Sequence, residues 1–69
     1  MVGTVIRVIE NRGFAFVHPD GEPNDLFLHY KAADRSLIFD RSLEGTRLEF
    51  DVRAEKDGRL RAVNARRAS

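Results

Sequence analysis

Short apolar runs, each cut off by a turn, constrain this 69-residue chain more than any other feature. Few windows carry the spacing of an amphipathic helix. The apolar residues instead alternate or cluster over five to eight positions at a time, which is strand behaviour. Residues 2–9, rich in β-branched side chains, read as a first strand. Residues 10–13 make a turn in which Gly13 is free to take positive φ, and residues 14–18 a second strand. Pro, Asp and Gly break the pattern over 19–24, and 25–29 read as a third strand. Residues 30–44 read as a long connection with one 3₁₀ turn. Residues 47–54 alternate, with Leu48, Phe50 and Val52 on one side and Arg47, Glu49, Asp51 and Arg53 on the other, predicting a strand with one wet face. Asp57-Gly58 marks a hairpin turn, and 60–66 read as a fifth strand. No internal repeat is apparent.

Five short strands leave an edge problem, because an unpaired edge offers its N–H and C=O groups to any other chain. Closing the sheet into a barrel removes the edge. A three-strand meander, a long connection and a hairpin follow the order of a small Greek-key barrel of the OB type. Periodicity alone does not separate it from an SH3-like barrel. A chain this short buries only about 60% of the surface it exposes when unfolded, so one domain over residues 1–69 is expected, with no lobed catalytic cleft. The sequence holds no cysteine, which excludes disulfides and Cys-based metal sites. No uncharged apolar run reaches the ~18 residues of a membrane span. The start lacks the charged and apolar regions of a signal peptide, so a cytoplasmic protein is expected.

Two strings carry the chemistry. In Arg12-Gly13-Phe14-Ala15-Phe16-Val17, the rings of Phe14 and Phe16 share one face of a strand and Ala15 and Val17 the other. In Leu26-Phe27-Leu28-His29-Tyr30, Phe27 and His29 share a face opposite Leu26 and Leu28. A barrel takes one face inside. The aliphatic set suits a tight interior, which leaves Phe14, Phe16, Phe27 and His29 outside on adjacent strands; the alternative makes the phenylalanines the core. An exposed aromatic patch usually marks a binding surface, and flat rings with basic neighbours suit unpaired bases, at about 1–3 kcal/mol per stack. The formal net charge of +1 is too balanced for a protein held to nucleic acid by charge alone. Ten of the 12 basic residues are Arg, however, which stacks and fork-bonds as well as attracts.

These strings resemble the paired motifs of the cold-shock domain family, where Lys-Gly-Phe-Gly-Phe-Ile and Val-Phe-Val-His stand. The likeness spans nearly the whole chain, through Gly3-Thr4-Val5, Pro19-Asp20-Gly21, Leu43-Glu44-Gly45 and Ala62-Val63-Asn64-Ala65. It implies an all-β, five-stranded antiparallel OB-fold barrel. It also implies binding of single-stranded RNA and DNA, with a leaning to pyrimidines, in RNA chaperoning, transcription antitermination or translation control. By the same resemblance Phe14, Phe16, Phe27, His29 and Tyr30 are stacking platforms, and Arg12 stands for the motif lysine. Phe39 supplies a loop aromatic on a loose alignment, and Asp25 accepts a hydrogen bond from a base edge. On the first strand the family's Lys-Trp-Phe-Asn is Ile6-Arg7-Val8-Ile9 here. Arg7 can still stack through its guanidinium plane, whereas Val8 cannot, so two platforms count as lost. Ala15 replaces the motif's central Gly.

Nothing in the sequence points to catalysis, a cofactor or a metal. His18 and His29 have no carboxylate or hydroxyl at a recognisable catalytic spacing and make a poor metal pair, and His18 is expected to face solvent. No Gly-rich phosphate loop is present, and no small-molecule substrate is expected. The Arg-rich end, residues 66–69 above all, reads either as a frayed tail or as a phosphate-tracking one. Loss of the first-strand rings also leaves open a protein-interaction or dimerisation module on the same barrel, with the chain a monomer or weak dimer.

Overall fold

The computed structural model describes residues 1–68. Five strands are present: β1 (Val2–Ile9), β2 (Phe14–Pro19), β3 (Leu26–His29), β4 (Arg47–Ala54) and β5 (Leu60–Arg67). They close into a barrel in the order β1-β2-β3-β5-β4. Four seams are antiparallel; the closing seam, β3 with β5, is parallel and rests on the pair Phe27↔Arg61. This is the OB-type barrel expected from the meander, connection and hairpin.

The aliphatic faces fill the interior. Ala15, Val17, Leu26 and Leu28 are buried with Val5, Leu48 and Phe50. The alternative, with phenylalanines 14, 16 and 27 as the core, is therefore ruled out; each is half-buried on the outer face. Gly3 is fixed by close packing: a Cβ there would lie 2.6 Å from the His18 carbonyl oxygen on β2.

Two bulges reset which residues face out. Val5 pairs with Val17 and Arg7 with Phe16, so Ile6 is an extra residue on β1. Ile6 and Arg7 both point outward, and Val8 turns back in opposite Ala15. The expectation that Val8 marks a lost surface platform is corrected: at 8% exposure it is core. On β5, Glu49↔Arg66 and Asp51↔Val63 enclose an extra residue, and Asn64 takes φ 55° there while its amide donates to Asp51 Oδ2 at 3.1 Å.

Val52 is a second correction. It continues the inward register of Leu48 and Phe50 but is 38% exposed. β1 ends too early to cover it: the β1–β4 pairs stop at Val2↔Glu49, with Met1 and Phe50 exchanging one more pair of backbone bonds.

The long connection contains a repeat that the sequence reading missed. Asp34-Arg35-Ser36-Leu37 recurs as Asp40-Arg41-Ser42-Leu43. In each copy the Asp carboxylate accepts the Ser N–H at 2.9 Å, the Leu N–H donates to the Asp carbonyl at 3.0 Å, and the Leu is buried. Each is an Asx turn that drives one Leu into the core. The second forms the 3₁₀ turn Arg41–Leu43, and another 3₁₀ turn, Tyr30–Ala32, opens the connection.

The C-terminal segment continues β5 through Arg67. Arg66 and Arg67 pair with Glu49 and Leu48 in the β4–β5 ladder, and the Ala68 N–H donates to the Arg47 carbonyl at 3.0 Å. Ser69 lies outside the described residues.

Candidate nucleic-acid interface

Strand pairing assembles the rings. Phe14 lies opposite His29 and Phe16 opposite Phe27, so residues two apart on each strand form one outer patch. Phe14 and Phe27 are tilted with centroids 4.9 Å apart, while Phe16 meets Phe14 edge-on at 5.7 Å. The band continues from Phe27 to His29 at 6.4 Å and from His29 to Tyr30 at 4.7 Å.

Local geometry holds its far end. Gly13 caps the 3₁₀ turn Glu10–Arg12 at φ 70°, and its carbonyl accepts the Tyr30 N–H at 2.9 Å. The Tyr30 ring lies over Gly13, where a Cβ would come within 2.7 Å of its Cδ1, yet the residue stays 50% exposed. His29 Nδ1 accepts the Lys31 N–H at 3.2 Å, which fixes the ring and leaves Nε2 as the protonated nitrogen of the neutral form.

The other expected residues fall into two groups. Arg7 is brought opposite Phe16 by the β1 bulge, and Arg12 is exposed in the turn before Phe14; neither forms an ion pair among the described residues. Phe39 and Asp25 both have partners within the fold. Phe39 is half-buried against the core and lines a depression shared with Tyr30, Arg35 and Leu37. Asp25 already accepts from His18 Nδ1 at 2.8 Å. His18 faces solvent as expected, with its side chain 45% exposed; it stands two residues past Phe16 on the same outer face.

Arg61 is the residue that sequence reasoning missed. Its guanidinium carbon lies 4.9 Å from the Phe27 centroid, and its Nε is 2.8 Å from Glu55 Oε1. The parallel seam that puts it there joins segments far apart in sequence, so no local pattern announces it. Arg61 sits where two grooves meet. One, of about 680 Å³, runs along Phe14, Phe16 and Phe27 to the β4–β5 turn; the other continues past His29, Lys31 and Arg53 to Asn64.

Ion pairs engage part of the basic set. Arg47 grips Asp20 through two bonds of 2.8 and 2.6 Å, and these hold the Asp20 carboxyl below the usual carboxylate range. Arg66 pairs with Glu49 at 3.2 Å. Near the rings, Arg7, Arg12, Lys31 and Arg53 form no ion pair among the described residues. The ring groove itself is mixed in charge, with Arg59 paired to Asp57 and Arg61 to Glu55.

Fold and ring band together define a small barrel with a stacking surface for planar ligands. The sequence matches the profile of the 'Cold-shock' DNA-binding domain over residues 1–68. It is 40% identical over 68 residues to cold shock protein CspA of Rhizobium meliloti (strain 1021), covering 96% of each chain. It is also 40% identical over 62 residues to glycine-rich protein 2 of Nicotiana sylvestris, covering 90% of this chain and 28% of that protein. The chain belongs to the cold-shock domain family, a nucleic-acid-binding family.

Proposed function

We propose that the chain binds single-stranded RNA and DNA by stacking bases on Phe14, Phe16, Phe27, His29 and Tyr30, without catalysis. One observation carries this: the rings form a continuous outer band while their aliphatic neighbours Ala15, Val17, Leu26 and Leu28 fill the core. The band therefore serves no purpose in the interior and is free for ligand. Each base–ring stack contributes about 1–3 kcal/mol and tolerates any base, because every base has a π-face. Arg7 and Arg12 add phosphate attraction or a guanidinium stack, and Arg61 flanks the Phe27 platform. Asp25, held by His18, offers its second oxygen to a base edge. Phe39 serves as an edge contact beside Tyr30. Within a cell, this activity fits a cytoplasmic RNA chaperone or a regulator of transcription or translation.

The test is fluorescence polarisation with a labelled pyrimidine-rich heptamer. The sequence has no Trp, so Tyr30 emission is the intrinsic cross-check. Saturable binding is expected at low salt, and absence of binding at high micromolar protein overturns the proposal.

A further inference from the structure

The seam between β3 and β5 needs only the backbone of Arg61, at its pair with Phe27. The side chain is nevertheless held on two sides. Its guanidinium carbon stands over the Phe27 ring, 4.9 Å from the centroid, and its Nε lies 2.8 Å from Glu55 Oε1. It remains 45% exposed and lines both grooves of the interface. Ring and carboxylate thus pre-organise a planar group that otherwise loses rotamer freedom on binding. Glu55 engages the inner nitrogen. The two terminal nitrogens have no hydrogen-bond or ion-pair partner among the described residues, and they present a fork of N–H donors. Arg53 pairs directly with Arg61 across β4 and β5, and like charges so placed are destabilising. The barrel carries this fork at a cost to its own stability.

A donor fork fits either a phosphate or a base edge with two neighbouring acceptors. Glu55 decides against phosphate. Its carboxylate offsets the Arg61 charge and would repel an anion brought to the same guanidinium. Lys31 and Arg53 share the adjoining groove, form no ion pair among the described residues, and are the better phosphate contacts. A base stacked among Phe14, Phe16 and Phe27 lies beside Arg61 in one groove and meets it edge-on. Guanine has the edge that fits: its O6 and N7 are adjacent acceptors, which arginine engages bidentately. Adenine sets an amine beside N7, and uracil sets N3–H between its carbonyls, so each opposes one arm of the fork with a donor. Cytosine pairs O2 with N3, but O2 adjoins the nitrogen that carries the sugar, which hinders the approach. We propose that Arg61, held between Phe27 and Glu55, reads one unpaired guanine through O6 and N7 and so gives the ring band a base preference. This inference rests on the stacking function proposed above.

The experiment separates the two. Anisotropy is measured with labelled heptauridine and with the same strand carrying one G, A or C at each position in turn. Heptauridine reports the ring band, and A at the same position corrects for the larger stacking area of a purine. At one position G is expected to bind about fivefold or more tighter than A, C or U. There inosine, which keeps O6 and N7, is expected to match G, and 7-deazaguanine, which lacks the N7 acceptor, to fall to the level of A. Arg61→Lys keeps the charge and loses the fork, so its G-to-A affinity ratio is expected to drop to about one, with circular dichroism verifying the fold. Should that variant unfold, the 7-deazaguanine comparison on the wild type carries the test. Equal affinity for G and A at every position, or C matching G, overturns the guanine reading and, with heptauridine bound, leaves the ring band intact. A G preference that survives 7-deazaguanine or Arg61→Lys overturns it as well. No binding of any strand overturns both.

Discussion

Replacing Gly13 by Ala strikes fold and site at once, and the two effects can be separated. At φ 70° an L-residue pays a steric cost that glycine does not, about 1–2 kcal/mol. Ala also restricts the unfolded chain, which returns about 0.4–1 kcal/mol. The backbone part is thus a net loss of about 1 kcal/mol, or roughly 4–8 °C in Tm for a domain of this size. The new Cβ also lands 2.7 Å from Tyr30 Cδ1, well inside contact distance, so the ring must swing away. That displacement removes a platform and is expected to weaken a pyrimidine heptamer by about 1–3 kcal/mol. Urea unfolding reads the first effect and polarisation the second. The single variants Gly13→Ala and Tyr30→Ala, with the double variant, close a thermodynamic cycle. If Gly13 acts on binding through the ring, Gly13→Ala adds no affinity loss in the Tyr30→Ala background. Full additivity of the two affinity losses, or a Gly13→Ala protein with wild-type Tm and affinity, refutes the reasoning.

Other outcomes follow from particular contacts. Phe50, fully buried, fills the barrel centre; Phe50→Ala is expected to cost about 3–5 kcal/mol, visible as a lowered urea midpoint or outright unfolding by circular dichroism. Asp20 has its carboxyl pKa lowered by the Arg47 hydrogen bond. A depressed carboxylate stabilises above its unfolded pKa and loses that contribution as pH falls through the folded one. The Tm gap between wild type and Asp20→Asn is therefore expected to be constant near neutrality and to close in the acid range below pH ~4. Asp34→Ala and Asp40→Ala each remove an Asx turn, and each is expected to lower the urea midpoint. Unequal losses are expected only if the two copies pack differently.

Much of the fold was legible because β-periodicity is local. Segments Val2–Ile9 and Arg47–Ala54 have the ends predicted from β-branched content in the first and from alternation in the second. The division of Phe14-Ala15-Phe16-Val17 into a ring face and a core face followed from period two alone. What stayed hidden depends on partners distant in sequence. The extra residue Ile6 turns Val8 inward, and nothing within the first strand marks where the bulge falls. Val52 keeps its register yet is exposed because β1 ends too soon, a fact about β1 rather than β4. Arg61 reaches Phe27 only through the parallel seam. The duplicated Asp-Arg-Ser-Leu turn was visible in principle, but it is too short to stand out as a repeat and becomes meaningful only once both Leu side chains are seen in the core.

The central claim is that rings, more than charge, carry ligand affinity on this barrel. Polarisation titrations of a pyrimidine-rich heptamer against wild type and Phe27→Ala, each at two salt concentrations, test it most directly. Salt is expected to weaken both proteins with the same shallow slope, roughly 0.7 per phosphate contact. The Phe27→Ala deficit of about 1–3 kcal/mol is expected to persist unchanged at the higher salt, with the variant still folded. A folded Phe27→Ala protein that binds as tightly as wild type, or a deficit that vanishes as salt rises, contradicts the claim.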